Sequence, residues 1–138
     1  MTLSGSIRTL ILDEYARQGV AFVDTIDLDA YLIKLGEHAE IVSESVDGRC
    51  TGFVAFYCND LNTKAAYITL VLVDPRDRGV GLGKRLVTSV LDTAKRRGFA
   101  SCRLEVDQRN EAAQAMYRSL GFRVIELNAH KYLMEAPL

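Results

Sequence analysis

Three glycines at alternate positions, Gly79, Gly81 and Gly83, lie between a predicted strand and a predicted helix. Glycine lacks a Cβ atom, so the backbone around it can approach a ligand closely. The first N–H groups of a helix have no partners within it and carry partial positive charge, so they suit a diphosphate. Three nearby cations would favour that anion: Arg78, Lys84 or Arg85. The alternative is a flexible connection with incidental glycines, although each glycine inside a helix costs about 0.5–1 kcal/mol relative to alanine.

Two common nucleotide-binding loops do not match this turn. A Walker A loop ending in Gly83-Lys84 requires glycine at position 78 and Ser or Thr at position 85, where the chain has Arg78 and Arg85. The dinucleotide fingerprint fails as well, because its third glycine would fall on Lys84 or Leu86. The turn therefore retains the chemistry of anion binding without the signature of either class.

A second motif follows the glycine turn and identifies a family. The chain has Val-Asp-Pro at 73–75 before Arg78-x-x-Gly81-x-Gly83, then Leu-Glu-Val at 104–106 before Asn110-x-x-Ala113-x-x-x-Tyr117-x-x-x-Gly121-Phe122. Together the two motifs resemble the acetyl-CoA-binding region of the GNAT superfamily of N-acetyltransferases, over about residues 65–127. Their wording is similar to ribosomal-protein N-terminal acetyltransferases and equally similar to many small-molecule acetyltransferases.

The resemblance implies where the cofactor lies. In GNAT proteins the pantetheine arm of acetyl-CoA occupies a gap between two strands, here residues 65–73 and 101–107. Its amides would pair with the backbone at Leu72 and Val73, as an added strand would. The alternative is two fully paired core strands. The residues implied to bind acetyl-CoA are Leu72, Val73, Arg78, Gly79, Val80, Gly81, Leu82, Gly83, Lys84 and Asn110. No metal is implied.

The resemblance also implies two catalytic side chains, Tyr117 and Glu105. Asn110, Ala113 or Gln114, and Tyr117 share one helical face, which would aim the Tyr117 hydroxyl towards the departing sulfur. The alternative for Tyr117 is core packing. Strand alternation separates Glu105 from Leu104 and Val106, so its carboxylate is the candidate general base, directly or through water. The alternatives for Glu105 are a salt bridge or a solvent-facing position.

The predicted reaction is transfer of an acetyl group from acetyl-CoA to a primary amine by direct attack in a ternary complex. The acceptor would be a small molecule, an amino sugar or a protein N-terminus. An alternative function from another class is a non-catalytic acyl-CoA-binding module that regulates a partner. The intact Tyr117 and Glu105 favour the enzyme.

Composition limits the other partners. Hydrophobic residues make up 49% of the 138 residues and charged residues 25%, with a net charge of −1, so no global field attracts nucleic acid or an anionic membrane. No run approaches the roughly 20 apolar residues of a membrane span, and no signal-peptide pattern is present. Three widely spaced cysteines suggest neither a zinc site nor a disulfide framework. We expect a cytoplasmic protein and leave a homodimer open.

The periodicity predicts one domain over residues 1–138 with an α/β (α+β) fold. It consists of a single mixed, mostly antiparallel sheet flanked by helices. The first forty residues are predicted to form two helices, one ending near Gly19 and one capped by Asp27 or Asp29. Further helices are expected to end near Arg97 and Gly121. Strands are expected over residues 40–46, 51–59, 65–73, 101–107, 122–127 and 130–135. A helical start departs from the GNAT pattern, which usually begins with a strand.

Overall fold

The computed structural model describes residues 3–18 and 27–138. Its helices are α1 (Gly5–Gln18), α2 (Leu28–His38), α3 (Leu82–Arg96) and α4 (Glu111–Ser119). Its strands are β1 (Glu40–Val46), β2 (Arg49–Tyr57), β3 (Ala65–Val73), β4 (Ser101–Asp107), β5 (Arg123–Asn128) and β6 (Lys131–Pro137). The predicted order of elements is confirmed. Asp27 caps α2 by accepting a hydrogen bond from the Ala30 N–H at 3.0 Å. The predicted stop at Gly19 lies outside the described residues.

One six-stranded sheet has the spatial order β1-β2-β3-β4-β6-β5. Only β3 and β4 run parallel, and the other neighbouring pairs are antiparallel. The prediction of a mixed, mostly antiparallel sheet is therefore confirmed. Among the described residues the first strand begins at Glu40, after both α1 and α2. The helical start that the apolar spacing indicates is confirmed for Gly5–Gln18.

The sheet separates two apolar cores. One core lies under α3 and α4, and the other lies under α1 and α2. β3 contributes to both, because Ala66 and Ile68 join the α3 core while Leu70 and Leu72 join the α1/α2 core. The cause is a β-bulge: Ile68 pairs with Phe56 and Leu70 with Ala55, so Thr69 is an extra residue. Because side chains alternate with a period of two, one extra residue reverses the faces of all that follow.

Candidate active site

A cleft opens where β3 and β4 separate. The two strands pair with each other over Ala65–Ile68 of β3. Beyond this point both strands continue, and their residues, all of which the structure describes, no longer pair with each other. Thr69 is the extra residue at the point of separation, and a bulge bends the strand that carries it. A cleft of about 740 Å³ lies between the separated ends and reaches residues of α1, α2 and α4. The sheet thus contains an opening large enough for an extended chain.

The pairing of β3 with β2 determines which backbone groups face this cleft. The Asp74 N–H donates to the Thr51 carbonyl at 2.8 Å, so this residue directs its backbone towards β2. Since successive strand residues alternate in direction, Val73 and Val71 turn their amides towards the cleft and Leu72 turns its own towards β2. This pair differs from the predicted Leu72 and Val73. Alternation could have revealed Val71, because adjacent strand residues cannot direct their amides to the same side.

The glycine turn places open N–H groups at the other end of the cleft. Asp74 accepts from the Arg76 N–H at 2.9 Å and caps a single 3-10 turn over Pro75–Asp77. Gly79 and Gly81 have φ values of +85° and +81°, which side chains rarely permit. Gly81 is the N-cap of α3, where no side chain of the described residues provides a capping bond. The first N–H groups of α3 are therefore available to an anion.

The structure brings together six of the ten residues predicted to bind the cofactor. The six that line the cleft are Leu72, Val73, Arg78, Gly79, Gly83 and Asn110. The other four belong to the turn or the start of α3 and do not line the cleft: Val80, Gly81, Leu82 and Lys84. Val80 is 67% exposed, while Leu82 is buried beneath the turn. A Cβ atom on Gly83 would lie 3.7 Å from Met116 Cε and 3.8 Å from Val73 Cγ2, so this glycine leaves space in the cleft.

Two of the three cations near the turn already have protein partners. Arg78 donates through Nε to the Val73 carbonyl at 3.1 Å and through Nη2 to Glu14 Oε1 at 3.2 Å. Arg85 donates to Glu44 Oε2 at 3.0 Å and to the Val80 carbonyl at 3.3 Å. Both guanidinium groups are thus held by protein acceptors, whereas the N–H groups at the start of α3 receive no side-chain cap from the described residues.

Helix α4 supplies one wall of the cleft through Asn110, Ala113 and Tyr117. Asn110 begins the helix, and its Oδ1 accepts from the Ala113 N–H at 3.1 Å. Gln114 turns away and donates to the backbone carbonyl of Asp107 at 3.1 Å. Tyr117 is 8% exposed, and burial raises the pKa of its hydroxyl to about 12. The phenol therefore remains protonated at neutral pH, in a position that lines the cleft.

Glu105 lies on the opposite face of the sheet from Tyr117. Leu104 and Val106 point into the core under α3, which turns Glu105 towards the α1/α2 face, as alternation predicts. Its Oε1 accepts a hydrogen bond from the Tyr67 hydroxyl at 3.2 Å. Burial, together with the Glu105 charge, raises the pKa of Tyr67 to about 12, so this hydroxyl remains a donor. The cleft therefore has a carboxylate on one face and a phenol on the other.

The family follows from a match over this whole region. The family model described as "Acetyltransferase (GNAT) family" matches residues 7–122, which include both motifs and both walls of the cleft. The chain belongs to the GNAT family. The resemblance seen in the two motifs is thereby confirmed.

Two curated GNAT relatives show the range of the match. An uncharacterised N-acetyltransferase of Methanocaldococcus jannaschii is 36% identical over 101 residues, 70% of this chain and 44% of that protein. The L-2,4-diaminobutyric acid acetyltransferase of Nocardia farcinica is 30% identical over 103 residues, 73% of this chain and 53% of that protein. The chain spans about half the length, or less, of the curated relatives it matches.

Solved structures confirm the predicted GNAT fold. The ribosomal-protein-S18-alanine N-acetyltransferase of Escherichia coli has a TM-score of 0.72 at 23% identity, over 99% of this chain and 91% of that one. The PaiA N-acetyltransferase of Thermoplasma acidophilum, solved with coenzyme A, has a TM-score of 0.70 at 19% identity. That match covers 96% of this chain and 95% of the other.

Several polar residues of the GNAT cleft lie outside both motifs, and the sequence analysis did not single out the following three. Tyr67 contacts Glu105, Tyr31 reaches the cleft from α2, and Glu14 reaches it from α1. Burial, with a smaller contribution from Tyr57, raises the pKa of Tyr31 to about 12. Tyr67 alternates with Ile68 and shares the face of Glu105, so its position could have been inferred. The other two depend on helix packing that no motif records.

Two other kinds of site are absent from the described residues, a membrane-spanning helix and a metal-binding cluster. Within residues 3–18 and 27–138, no helix combines the length and the apolar composition that crossing a bilayer requires. In the same part of the chain, no group of three His, Cys, Asp or Glu side chains is arranged to hold a metal ion. The three free thiols are buried, as expected for small apolar side chains: Cys50, Cys58 and Cys102.

Proposed function

We propose that this chain is an N-acetyltransferase that moves an acetyl group from acetyl-CoA to a primary amine by direct attack in a ternary complex. The observation that supports this most is the opening between β3 and β4, with Glu105 on one face of the sheet and Tyr117 on the other. A thioester in this opening would meet an amine arriving from the α1/α2 face, while its sulfur remained beside α4.

The α3/α4 side of the cleft suits acetyl-CoA. The uncapped start of α3 offers N–H groups to the diphosphate, and the free edge at Val71 and Val73 offers backbone groups to the pantetheine amides. The T. acidophilum relative, which shares the fold, was solved with coenzyme A. We assign cofactor binding to Val71 and to the ten residues predicted from the sequence. The ten are Leu72, Val73, Arg78, Gly79, Val80, Gly81, Leu82, Gly83, Lys84 and Asn110.

Glu105 would prepare the amine. An amine attacks a thioester only in its neutral form, so its proton must pass to a base at or before attack. Tyr67 already bonds Oε1 of Glu105, and Oε2 would accept this proton, directly or through one water molecule. The carboxylate is held in place by a hydroxyl that stays protonated at neutral pH. Glu105 therefore combines a fixed position with the capacity to take up a proton.

Tyr117 would assist the departing sulfur. The collapse of the tetrahedral adduct breaks the carbon–sulfur bond and leaves negative charge on sulfur. A thiol has a pKa of about 8.5, so its thiolate needs less help than an alkoxide. The Tyr117 hydroxyl would donate a hydrogen bond that strengthens as this charge develops. It would finally pass its proton to the sulfur and regain one from solvent water. Its contribution is consequently expected to be smaller than that of Glu105.

The proposed acceptor is a small-molecule amine, an amino sugar or a protein N-terminus. Two relatives support different members of this set, since one is an L-2,4-diaminobutyric acid acetyltransferase and another acts as a ribosomal protein bS18-alanine N-acetyltransferase. The polar groups of the α1/α2 face would contact this acceptor: Tyr31, Tyr67 and Glu105.

A screen for thiol release tests the proposal. The purified chain and acetyl-CoA are incubated with a panel of small amines, amino sugars and peptides with free N-termini. Acceptor-dependent release of free thiol, together with an acceptor heavier by one acetyl group, is expected for at least one class. Reactions without acceptor provide the background rate. Saturable binding of acetyl-CoA with no amine-dependent release would identify a binding module instead, and no binding at millimolar acetyl-CoA would contradict both functions.

A further inference from the structure

A buried carboxylate on α1 faces the cleft and has no part in the proposed chemistry. Glu14 is 2% exposed, and its carboxylate accepts hydrogen bonds from three side chains. Arg17 Nη2 lies 2.5 Å from Oε1, Gln18 Nε2 bonds Oε2, and Arg78 Nη2 lies 3.2 Å from Oε1. A buried carboxylate needs such donors, because a buried charge without partners is strongly destabilising.

The third donor connects this carboxylate to the cofactor side of the cleft. While Nη2 of Arg78 contacts Glu14, its Nε donates to the Val73 carbonyl at 3.1 Å. Val73 ends the free edge of β3, and Arg78 directly precedes Gly79 in the turn. The planar guanidinium group can hold two acceptors at fixed angles, which an ammonium group cannot do. A continuous set of hydrogen bonds therefore runs from α1 to the phosphate turn.

We propose that Glu14 is a positioning residue for acetyl-CoA binding: it holds Arg78 against the Val73 carbonyl and so fixes the glycine turn relative to β3. This inference rests on the proposed acetyl-CoA site. It assigns to α1, which belongs to the acceptor face, a role in shaping the cofactor face. Glu14 touches neither the diphosphate nor the amine in this role, and acts through Arg78.

Charge alone predicts the opposite result, which makes the inference testable. Burial, the largest contribution, raises the pKa of Glu14, but the bonds from Arg17 and Gln18 and the charges of Arg17 and Arg78 together lower it below its ordinary value. Glu14 is thus anionic at neutral pH. Neutralising it would free the positive charge of Arg78 beside a ligand that carries several negative charges, so Coulomb's law predicts tighter binding. Loss of positioning predicts weaker binding.

The test measures acetyl-CoA affinity by isothermal titration calorimetry for the wild type, Glu14→Gln and Arg78→Lys. Both variants are expected to weaken binding about tenfold, the loss typical of one charge-assisted hydrogen bond. For Glu14→Gln at saturating acetyl-CoA, kcat and the KM of the acceptor should stay within about twofold of wild type. Arg17→Gln is the matched control, because it removes another donor to Glu14 without touching Arg78, and its effect on affinity should be below about twofold.

The double variant separates positioning from two independent effects. If Glu14 acts through Arg78, combining Glu14→Gln with Arg78→Lys should weaken binding no more than either change alone. Unchanged or tighter binding in Glu14→Gln, or a rise confined to the KM of the acceptor, would overturn the inference. Arg78→Lys alters a half-exposed side chain and so gives a result even if Glu14→Gln fails to fold. Wild-type protein that does not bind acetyl-CoA would instead contradict the proposed function.

Discussion

The two sides of the cleft present different kinds of chemistry. The α3/α4 side is lined by small or apolar residues such as Gly83, Ala113 and Met116, and the uncapped start of α3 adds backbone N–H groups. The α1/α2 side presents the side chains of Tyr31, Tyr67 and Glu105. A site that binds through its backbone needs particular glycines at fixed spacing, whereas a site that binds through side chains can change by single substitutions. The first kind suits a constant cofactor and the second a variable acceptor.

The difference also explains why the two sides were unequally visible in the sequence. Backbone recognition leaves a local pattern, because the turn and the helix that follows it are contiguous in the chain. The three side chains of the other side belong to α2, β3 and β4, which are brought together only by folding. Four substitutions would separate the roles of the two sides, taken in order of the effect expected.

The largest effect is expected at Glu105, on the acceptor side. Glu105→Gln keeps the shape and the bond from Tyr67 but removes the base, so kcat/KM for the acceptor should fall about hundredfold or more while acetyl-CoA affinity stays near wild type. The loss should be greatest below the pKa of the acceptor amine and shrink as pH rises above it, because the free amine then needs no base. Rates are compared across pH with Glu126→Gln as control, and an unchanged pH profile would assign the base elsewhere.

The next largest effect is expected at Gly83, on the cofactor side. Gly83→Val would place two methyl groups in the cleft, so acetyl-CoA affinity should fall about 30-fold by the cost of steric overlap. Folding should change little, because the new Cβ meets only ordinary contacts with Met116 and Val73. Calorimetry checks the affinity, and thermal unfolding checks the fold. Gly83→Ala should lose less acetyl-CoA affinity. Full affinity in a folded Gly83→Val would show that this turn does not bind the phosphates.

A smaller effect is expected at Tyr117, which lies on the cofactor side but acts in the chemistry. Tyr117→Phe retains the ring and its packing on Phe122, so affinity and fold should persist. The chemical step should slow about tenfold, near the lower end for acid catalysis, because thiolates leave readily. Single-turnover measurement is required, since slow product release would conceal the change. An unaltered chemical step would restrict Tyr117 to core packing. The cofactor side would then supply no catalytic side chain.

The smallest effect is expected at Tyr67. Tyr67→Phe removes the hydroxyl that donates to Glu105 but keeps the carboxylate, so kcat/KM for the acceptor should fall about threefold, the effect of one modest hydrogen bond. Acetyl-CoA affinity should not change, because Tyr67 belongs to the acceptor side. Tyr57→Phe is the control on the neighbouring strand. A loss of acetyl-CoA affinity in Tyr67→Phe would show that the two sides are not independent.

Periodicity predicted the elements well because each one has a clear local cause. Apolar spacing defines α3, and Asn110 begins α4 with a capping bond that its side chain favours. The alternation of Glu105 with Leu104 also correctly predicts the face on which it lies. These features depend on neighbours within a few residues, so a single sequence is enough to infer them.

The rest depended on distant contacts. Thr69 is an extra residue only relative to β2, and the run from Ala65 to Val73 shows no sign of it. Arg78 was predicted near the diphosphate for its charge, but its guanidinium group is held by Glu14, 64 positions earlier in the chain. A carboxylate that remote cannot be assigned to this turn without the packing of α1 against the sheet.

The bulge at Thr69 separates two functions of β3, filling the cores and opening the cleft. Deleting Thr69 would make Ile68 and Leu70 consecutive in the chain, and strand alternation would still place them on opposite faces of the sheet. Both cores would therefore keep their side chains. The feature lost would be the bend that a bulge imposes on its strand, at the point where β3 leaves β4. A β3 shorter by one residue could thus fold around the same two cores and still lack the cleft.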